Sequence, residues 1–231
     1  MNAAVIVAAG RGTRMGPDVD KLFLTLRGAP LVVHTWKRFA ALDSVQQLVL
    51  VVRQGMESVF HELAAVHGLS RPYVLVCGGK ERQDSVWNGL QALDPGIEVV
   101  GIHDGARPCV SPELIEETLA KARQIGAAVA AQRVTDTLKE STAPDSLLIA
   151  RTVDRSRLWS VQTPQAFRVS ILREALARVR SEGRLVTDDT AACEWIGQPV
   201  GLVESRTPNP KATTQADLPY LEWLLAREAS R

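Results

Sequence analysis

Arg11, Arg14 and Lys21 stand among three glycines, Gly10, Gly12 and Gly16, directly after a short apolar run from Ala3 to Ala8. Glycines let backbone N–H groups approach a ligand closely, and successive unpaired N–H groups form a concave anion nest. Full positive charges beside such a nest suit a polyphosphate. The apolar run reads as a buried parallel strand, so the loop sits on the end of the first strand. The spacing matches neither of two better-known phosphate loops. A dinucleotide-binding fingerprint needs a third glycine at position 15, where Met15 stands. It also needs a helix opening at once, which Pro17 and the charged stretch to Lys21 delay. A P-loop needs Gly-Lys-Ser/Thr after four spacer residues, and that is absent. The bland alternative is a glycine-rich connection with solvated charges; three cations between positions 11 and 21 weigh against it.

Polar residues collect at two further strand ends. After Tyr73–Val76 comes Cys-Gly-Gly-Lys-Glu-Arg-Gln-Asp-Ser. Gly78 and Gly79 again allow backbone approach, and Arg82, Asp84 and Ser85 lie where the next helix starts. A helix N-terminus favours an anion or a hydrogen-bonding ligand edge; the plain alternative is a Gly-Gly turn with Asp84 as the cap. After Val99–His103 comes Asp-Gly-Ala-Arg-Pro. Asp104 and Arg107 form either a pair that fixes the loop, or a site in which Asp104 meets a substrate hydroxyl or a metal and Arg107 a phosphate.

The elements that must hold these residues alternate. Strands are predicted at Ala3–Ala8, Leu48–Val52, Tyr73–Val76, Val99–His103, Ala127–Ala131 and Val200–Val203. Helices are predicted at Pro30–Leu42, Met56–His67, Asp84–Leu93, Pro112–Ile125, Val169–Arg180, Thr190–Ile196 and Thr214–Arg227. Ser111 before Pro112 makes a good N-cap, and Glu113, Glu116 and Glu117 favour that helix start. Such alternation predicts an α/β fold, a mostly parallel sheet with helices on both faces and ligands at the carboxyl ends of the strands. The segment from about 134 to 167 breaks the pattern, with strand-like pieces around a polar centre at Ser141–Asp145. It reads as a hairpin or arm standing off the sheet of a single domain spanning residues 1–231. An isolated two-stranded hairpin is marginally stable, so an arm of this kind is expected to pack on a partner chain.

The chain has 231 residues, 45% of them hydrophobic, and a net charge of +1 with both signs mixed throughout. That balance argues against a nucleic-acid-binding face, which would need a basic stripe. No apolar stretch reaches bilayer length, so no membrane partner is expected. Cys77, Cys109 and Cys193 have no pairing or metal spacing, which points to a reducing cytoplasm. The four histidines form no cluster, so no zinc site is expected.

AAGRGTRM, Lys21, GGKERQDSV, HDGARP, TVDRSRLW, TPQAF, TDD and NPK follow one another in an order and spacing that closely resembles the 2-C-methyl-D-erythritol 4-phosphate cytidylyltransferases of the non-mevalonate isoprenoid pathway. The resemblance runs over essentially the whole chain. AAGRGTRM is shared by many sugar nucleotidyltransferases, whereas GG-x-ER-x-DSV with HD-x-ARP and TVDR is far more specific. It implies a Rossmann-like sheet of nucleotidyltransferase type with a protruding β-arm. The implied reaction is transfer of CMP from CTP to methylerythritol phosphate with release of pyrophosphate, using Mg2+. Carried over by position, Ala8, Ala9, Gly10, Gly12 and Arg14 would line the CTP triphosphate and ribose. Gly79, Arg82 and Ser85 would meet the cytosine end. Lys21 and Lys211, with Arg14, would hold the phosphates being rearranged. Asp104, Gly105, Arg107 and Thr163 would bind the acceptor, together with Thr137 and Arg155 from the arm of the neighbouring subunit of a homodimer. The chain departs from the family pattern at Lys80, often acidic; at Gly105, commonly alanine; at Asp20-Lys21-Leu22, usually Pro-Lys-Gln; and at Pro210 before Lys211.

The chemistry fits without a general base. An acceptor phosphate oxygen is already anionic at neutral pH, so the reaction needs positioning and charge cancellation rather than proton abstraction. Arg14, Lys21 and Lys211 can supply fixed cations, and magnesium bridging the triphosphate adds to them. Two other functions are compatible with parts of the pattern: a ribitol 5-phosphate cytidylyltransferase, and an inactive nucleotide-binding module. The presence of Arg14, Lys21, Asp104, Arg107 and Lys211 together argues against the latter.

Overall fold

A computed structural model of the chain describes residues 1–10 and 20–228. The first half runs β1 (Asn2–Val7), the short pair β2 (Thr25–Leu26) and β3 (Ala29–Pro30), α1 (Leu31–Ala40), β4 (Gln47–Val52), α2 (Glu57–Val66), β5 (Val74–Cys77), α3 (Arg82–Gln91) and β6 (Val99–Asp104). The second half runs α4 (Pro112–Ile125), β7 (Ala127–Arg133), β8 (Leu138–Ser141), β9 (Ile149–Val153), β10 (Trp159–Arg168), α5 (Val169–Ser181), α6 (Asp189–Trp195), β11 (Gly201–Glu204) and α7 (Leu218–Glu228). Seven strands form one sheet in the order β5–β4–β1–β6–β10–β7–β11. Within it β10 runs against its neighbours β6 and β7, and the other pairs are parallel.

Burial on both faces follows from the period of two along each strand. Ala4, Ile6, Leu48, Leu50 and Val52 pack on one side against Trp36 and Phe39 of α1, Phe60 of α2 and Ile115 of α4. Ala3, Val5, Val49 and Val51 pack on the other against Val86 and Leu90 of α3 and Leu172 and Leu176 of α5. The predicted mostly parallel sheet with helices on both faces is therefore present. α4 forms with the predicted bounds: Ser111 accepts a hydrogen bond from Leu114 N at 3.2 Å, Pro112 opens the first turn, and Gly126 closes it at φ 102°. The positive φ is what calls for glycine at this stop, while the nearest atoms to an added Cβ, Ile171 Cδ1 at 2.6 Å and Gln198 Nε2 at 2.8 Å, are ends of flexible side chains.

The segment 134–167 divides. β8 and β9 pair only with each other, as a separate antiparallel ribbon whose residues are mostly exposed, and the turn between them exposes Leu147 fully and Leu148 at 72%. Trp159–Arg168, which the sequence places in the arm, is instead the sheet strand β10. Pro164 hides it, because proline is rare within a central strand. Here it sits where the register with β7 shifts between Val161 and Gln165, an irregularity that accommodates a residue without an N–H.

β1, β4, β5 and β6 lie side by side and parallel. Their carboxyl ends, at Val7, Val52, Cys77 and Asp104, therefore open onto one edge of the sheet. Among the described residues, no helix is long and apolar enough to cross a membrane.

Candidate active site

A cleft of about 1010 Å³ lies along that edge. One wall begins with Ala9 and Gly10 after β1 and resumes at Asp20, Lys21 and Leu22. Asp20 accepts a hydrogen bond from Leu22 N at 3.3 Å, which caps a short 3-10 turn over Lys21–Phe23, and it pairs with Arg53 beyond β4. Lys21 is only 9% exposed; its Nζ donates to the Ala212 carbonyl at 3.0 Å and so meets the loop that carries Lys211.

The facing wall is the turn after β5. Gly78 N donates to Val52 O at 2.8 Å and continues the parallel ladder by one step. The Ser85 hydroxyl accepts from Gly79 N at 3.1 Å and donates to Glu81 O at 3.3 Å, folding the turn onto the start of α3. Both glycines are obligatory here. A Cβ at Gly78 would lie 2.4 Å from Ala9 Cβ, and one at Gly79 would lie 2.3 Å from Asp84 Cβ. The backbone of this turn thus forms a close-fitting surface in the cleft.

The floor is a network of charges centred on Asp104. Lys211 Nζ stands 2.8 Å from Asp104 Oδ2, Arg107 Nε 3.5 Å from the same oxygen, and Arg82 Nε 3.7 Å from Oδ1. Burial by itself would raise the Asp104 pKa. The three cations, Lys211 foremost, outweigh it and hold the carboxyl well below the usual carboxylate range. Arg82 also donates from Nη1 to Asp189 Oδ2 at 2.7 Å. Burial opposes its charge, but the carboxylates of Asp189 and Asp104 keep the guanidinium protonated beyond its ordinary range. Behind the floor, Thr163 Oγ1 accepts from Asp104 N at 3.1 Å, and Arg107 Nη1 donates to Asn209 O at 2.8 Å. Asn209, 1% exposed, donates in turn to Thr163 O at 2.8 Å. These bonds lock the loop before Lys211 to β6 and β10.

Cations lead on the lining: Lys21, Arg53, Lys80, Arg82 and Lys211 against Asp20, Glu81 and Asp104. Such a cleft favours an anionic ligand and stabilises charge that moves along it. His103, next to Asp104 in the chain, is fully buried and bonds through Nε2 to Arg107 O at 3.2 Å; burial pushes its pKa down to about 4. Among the described residues, no three His, Cys, Asp or Glu side chains gather as metal ligands. Asp104 is already surrounded by cations, so a divalent metal fits here only as part of a bound polyphosphate, with its ligands mostly phosphate oxygens and water.

Of the residues singled out in the sequence, Ala9, Gly10, Lys21, Gly79, Arg82, Ser85, Asp104 and Lys211 line this one cleft. Ala8, Gly105, Arg107 and Thr163 sit directly behind it. Ala8 N donates to Val51 O at 2.7 Å and Gly105 N to Val7 O at 2.9 Å, and Arg107 takes the loop-fixing position that the sequence left open. Thr137 and Arg155 are exposed on the ribbon segment, apart from the cleft lining. Gly12 and Arg14 lie outside the described residues. The sequence reading missed Arg53 and Gln54 on the lining, and Asp189 and Asn209 beneath it. Arg53 and Gln54 follow β4, so the rule that ligands bind at strand carboxyl ends was the available signal; Asp189 and Asn209 were marked by their place in TDD and NPK, but their roles were not, since their partners are far away in the chain.

The model of the 2-C-methyl-D-erythritol 4-phosphate cytidylyltransferase family matches residues 2–227 of this chain. A relative of that name from Geobacillus kaustophilus (strain HTA426) is 45% identical over 223 residues, covering 96% of each chain. One from Pelotomaculum thermopropionicum is 42% identical over 231 residues, 99% of this chain and 96% of its own. Among solved structures, the 4-diphosphocytidyl-2C-methyl-D-erythritol synthase of Anaerococcus prevotii superposes with a TM-score of 0.85 at 28% identity, covering 98% of this chain and 99% of that one. The 2-C-methyl-D-erythritol 4-phosphate cytidylyltransferase of Thermus thermophilus superposes at 0.79 and 34% identity, covering 98% and 100%.

Proposed function

The chain belongs to the 2-C-methyl-D-erythritol 4-phosphate cytidylyltransferase family, and from that premise we propose how its cleft works. The activity is transfer of CMP from CTP to methylerythritol phosphate, giving 4-diphosphocytidyl-2-C-methyl-D-erythritol and pyrophosphate for isoprenoid biosynthesis. The observation that carries the mechanism is a cationic cleft with no histidine among the described residues of its lining and its central carboxylate, Asp104, flanked by three cations.

CTP lies across the carboxyl ends of β1 and β5, its triphosphate against the backbone of Ala9 and Gly10, with Ala8 behind them and Gly12 added by the family resemblance, and its cytosine against the Gly78–Gly79 turn. The turn packs tightly on Ala9 and Asp84, and with its N–H groups bonded to Val52 and Ser85 its carbonyls are left to accept from the cytosine amino group. A phosphate oxygen of the acceptor attacks the α-phosphorus in line, and pyrophosphate leaves. Lys21 and Lys211, and Arg14 by the family resemblance, meet the charge that accumulates on the transferring and leaving oxygens. Mg2+ arrives with the triphosphate as part of the substrate. Asp104, held ionised and fixed by Thr163 and the surrounding cations, accepts hydrogen bonds from the acceptor's hydroxyls, with Gly105 and Arg107 shaping the loop beside it.

The acceptor's phosphate is completed by Thr137 and Arg155 of a second subunit. Supporting this is a ribbon, β8–β9, that buries little of itself in its own chain and carries exposed Leu147, Leu148 and Ile149 at its tip. The enzyme is accordingly a homodimer joined through its arms. It works in the cytoplasm, in keeping with three free cysteines.

Mixing variants tests the arrangement. Lys21→Ala and Arg155→Ala chains should each be nearly inactive alone. In a heterodimer one site carries both defects and the other neither, so random mixing restores roughly a quarter of wild-type activity. No recovery, with heterodimers verified by mass spectrometry, shows that each site is built from one chain.

A further inference from the structure

We propose that Asp189 is a positioning residue for nucleotide binding: it pins one edge of the Arg82 guanidinium, so that the group is already oriented toward the cleft before CTP arrives. This rests on the assignment of Arg82 to the nucleotide. Arg82 is the first residue of α3, where a cation meets the positive end of the helix dipole and has no intrinsic reason to stay. It is held from two sides, by Asp189 Oδ2 at Nη1 (2.7 Å) and by Asp104 Oδ1 at Nε (3.7 Å). Nη2 makes no hydrogen bond to any described residue, and Arg82 lines the cleft. A planar fork hydrogen-bonded at Nη1, with its Nε edge drawn toward a carboxylate 3.7 Å away, presents Nη2 in a defined direction.

Asp189 is suited to the task. Its side chain is wholly buried, and it is absent from the cleft lining. Its other oxygen, Oδ1, is buried without a hydrogen-bond partner among the described residues, so the carboxylate is committed to Arg82. Its backbone is fixed from the core, since Asp189 N donates to Gln165 Oε1 at 3.0 Å and Gln165 Nε2 donates to Asp188 Oδ2 at 3.0 Å. The chain of restraint thus runs from β10 through Asp189 to Arg82. Docking of α6 on α3 does not account for the pair. Gln83 already ties the preceding segment to α3 with two neutral bonds, donating to Arg184 O and accepting from Val186 N, both at 3.0 Å.

The test compares wild type, Asp189→Asn, Arg82→Gln and the double variant, with CTP affinity by calorimetry and kcat by pyrophosphate release. Asparagine keeps the size and an accepting oxygen but removes the charge, and Asp104 remains beside Arg82, so the variant is expected to fold. Asp189→Asn should weaken CTP binding about tenfold with a smaller change in kcat, the scale of one charge-assisted hydrogen bond. The double variant should bind CTP no worse than Arg82→Gln alone, because the two residues act through one contact. Normal CTP affinity in Asp189→Asn, or additive losses in the double variant, overturns the proposal while Arg82→Gln still impairs binding. If Arg82→Gln itself binds CTP normally, the nucleotide assignment of Arg82 falls first and the proposal with it. In case Asp189→Asn does not fold, NMR of the wild-type guanidinium decides. Resolved, slowly exchanging Arg82 Hη signals without nucleotide are expected; averaged signals that sharpen only with CTP refute pre-orientation by Asp189.

Discussion

Replacing Lys21 with alanine should abolish most of the turnover without unfolding the enzyme. The residue is 9% exposed, its ammonium donates to the Ala212 carbonyl at 3.0 Å, and it stands on the cleft lining. Opposite charges about 4 Å apart interact by roughly 4 kcal/mol at an effective dielectric of about 20. Part of that is already present when CTP binds; the rest appears as charge moves onto the leaving pyrophosphate. At about 1.4 kcal/mol per factor of ten, the expected fall in kcat is roughly 10²- to 10³-fold, the size seen when other preorganised electrostatic donors are removed. The bond to Ala212 is worth about 1 kcal/mol, so Tm should drop by only a few degrees. Steady-state pyrophosphate release gives kcat, calorimetry gives the CTP dissociation constant, and a melting curve confirms folding. A kcat near wild type with only a raised KM for CTP refutes the reasoning, because Lys21 would then bind ground state and transition state equally.

Three further outcomes follow from the same geometry. CTP should be used far better than UTP, since backbone carbonyls that accept from the cytosine amino group are left unmatched by uracil; competition kinetics showing equal use of UTP contradicts the placement of the base at Gly79. Gly79→Ala should weaken CTP binding by at least about tenfold, because its Cβ would lie 2.3 Å from Asp84 Cβ and displace the turn; unaltered affinity by calorimetry places the base elsewhere. Stability should rise with pH between about 4 and 6.5. His103 is neutral when folded but takes up a proton when unfolded across that range, so its full contribution of roughly 3 kcal/mol is present above 6.5 and lost on acidification. Denaturant titrations should show that slope reduced in His103→Gln, and an unchanged slope refutes the assignment.

Most of the sheet was legible because its strands are short continuous apolar runs separated by amphipathic helices with clear caps, as at Ser111-Pro112. β10 was not, since Pro164 and a polar sequence disguise a strand that the fold buries between β6 and β7. The site was legible where residues follow a strand end: Gly10, Gly79 and Asp104 each come within three residues of one. The residues that hold the site together were not. Asp189 meets Arg82 across 107 positions and Asn209 meets Thr163 across 46, and contacts of that kind are set by strand order rather than by local spacing. Arg107 shows the converse: its spacing from Asp104 admits both a loop-fixing pair and a phosphate ligand, and the fold shows the pair together with a bond to Asn209 that the sequence did not suggest.

The central claim is the pairing of this cleft with CTP and a methylerythritol phosphate acceptor. A pyrophosphate-release assay over a grid of the four nucleoside triphosphates with 2-C-methyl-D-erythritol 4-phosphate and ribitol 5-phosphate tests it most directly. The highest kcat/KM is predicted for CTP with methylerythritol phosphate, with turnover of either polyol nearly lost when Lys21 is alanine. A higher kcat/KM with ribitol 5-phosphate, or no pyrophosphate from any pair, contradicts the account.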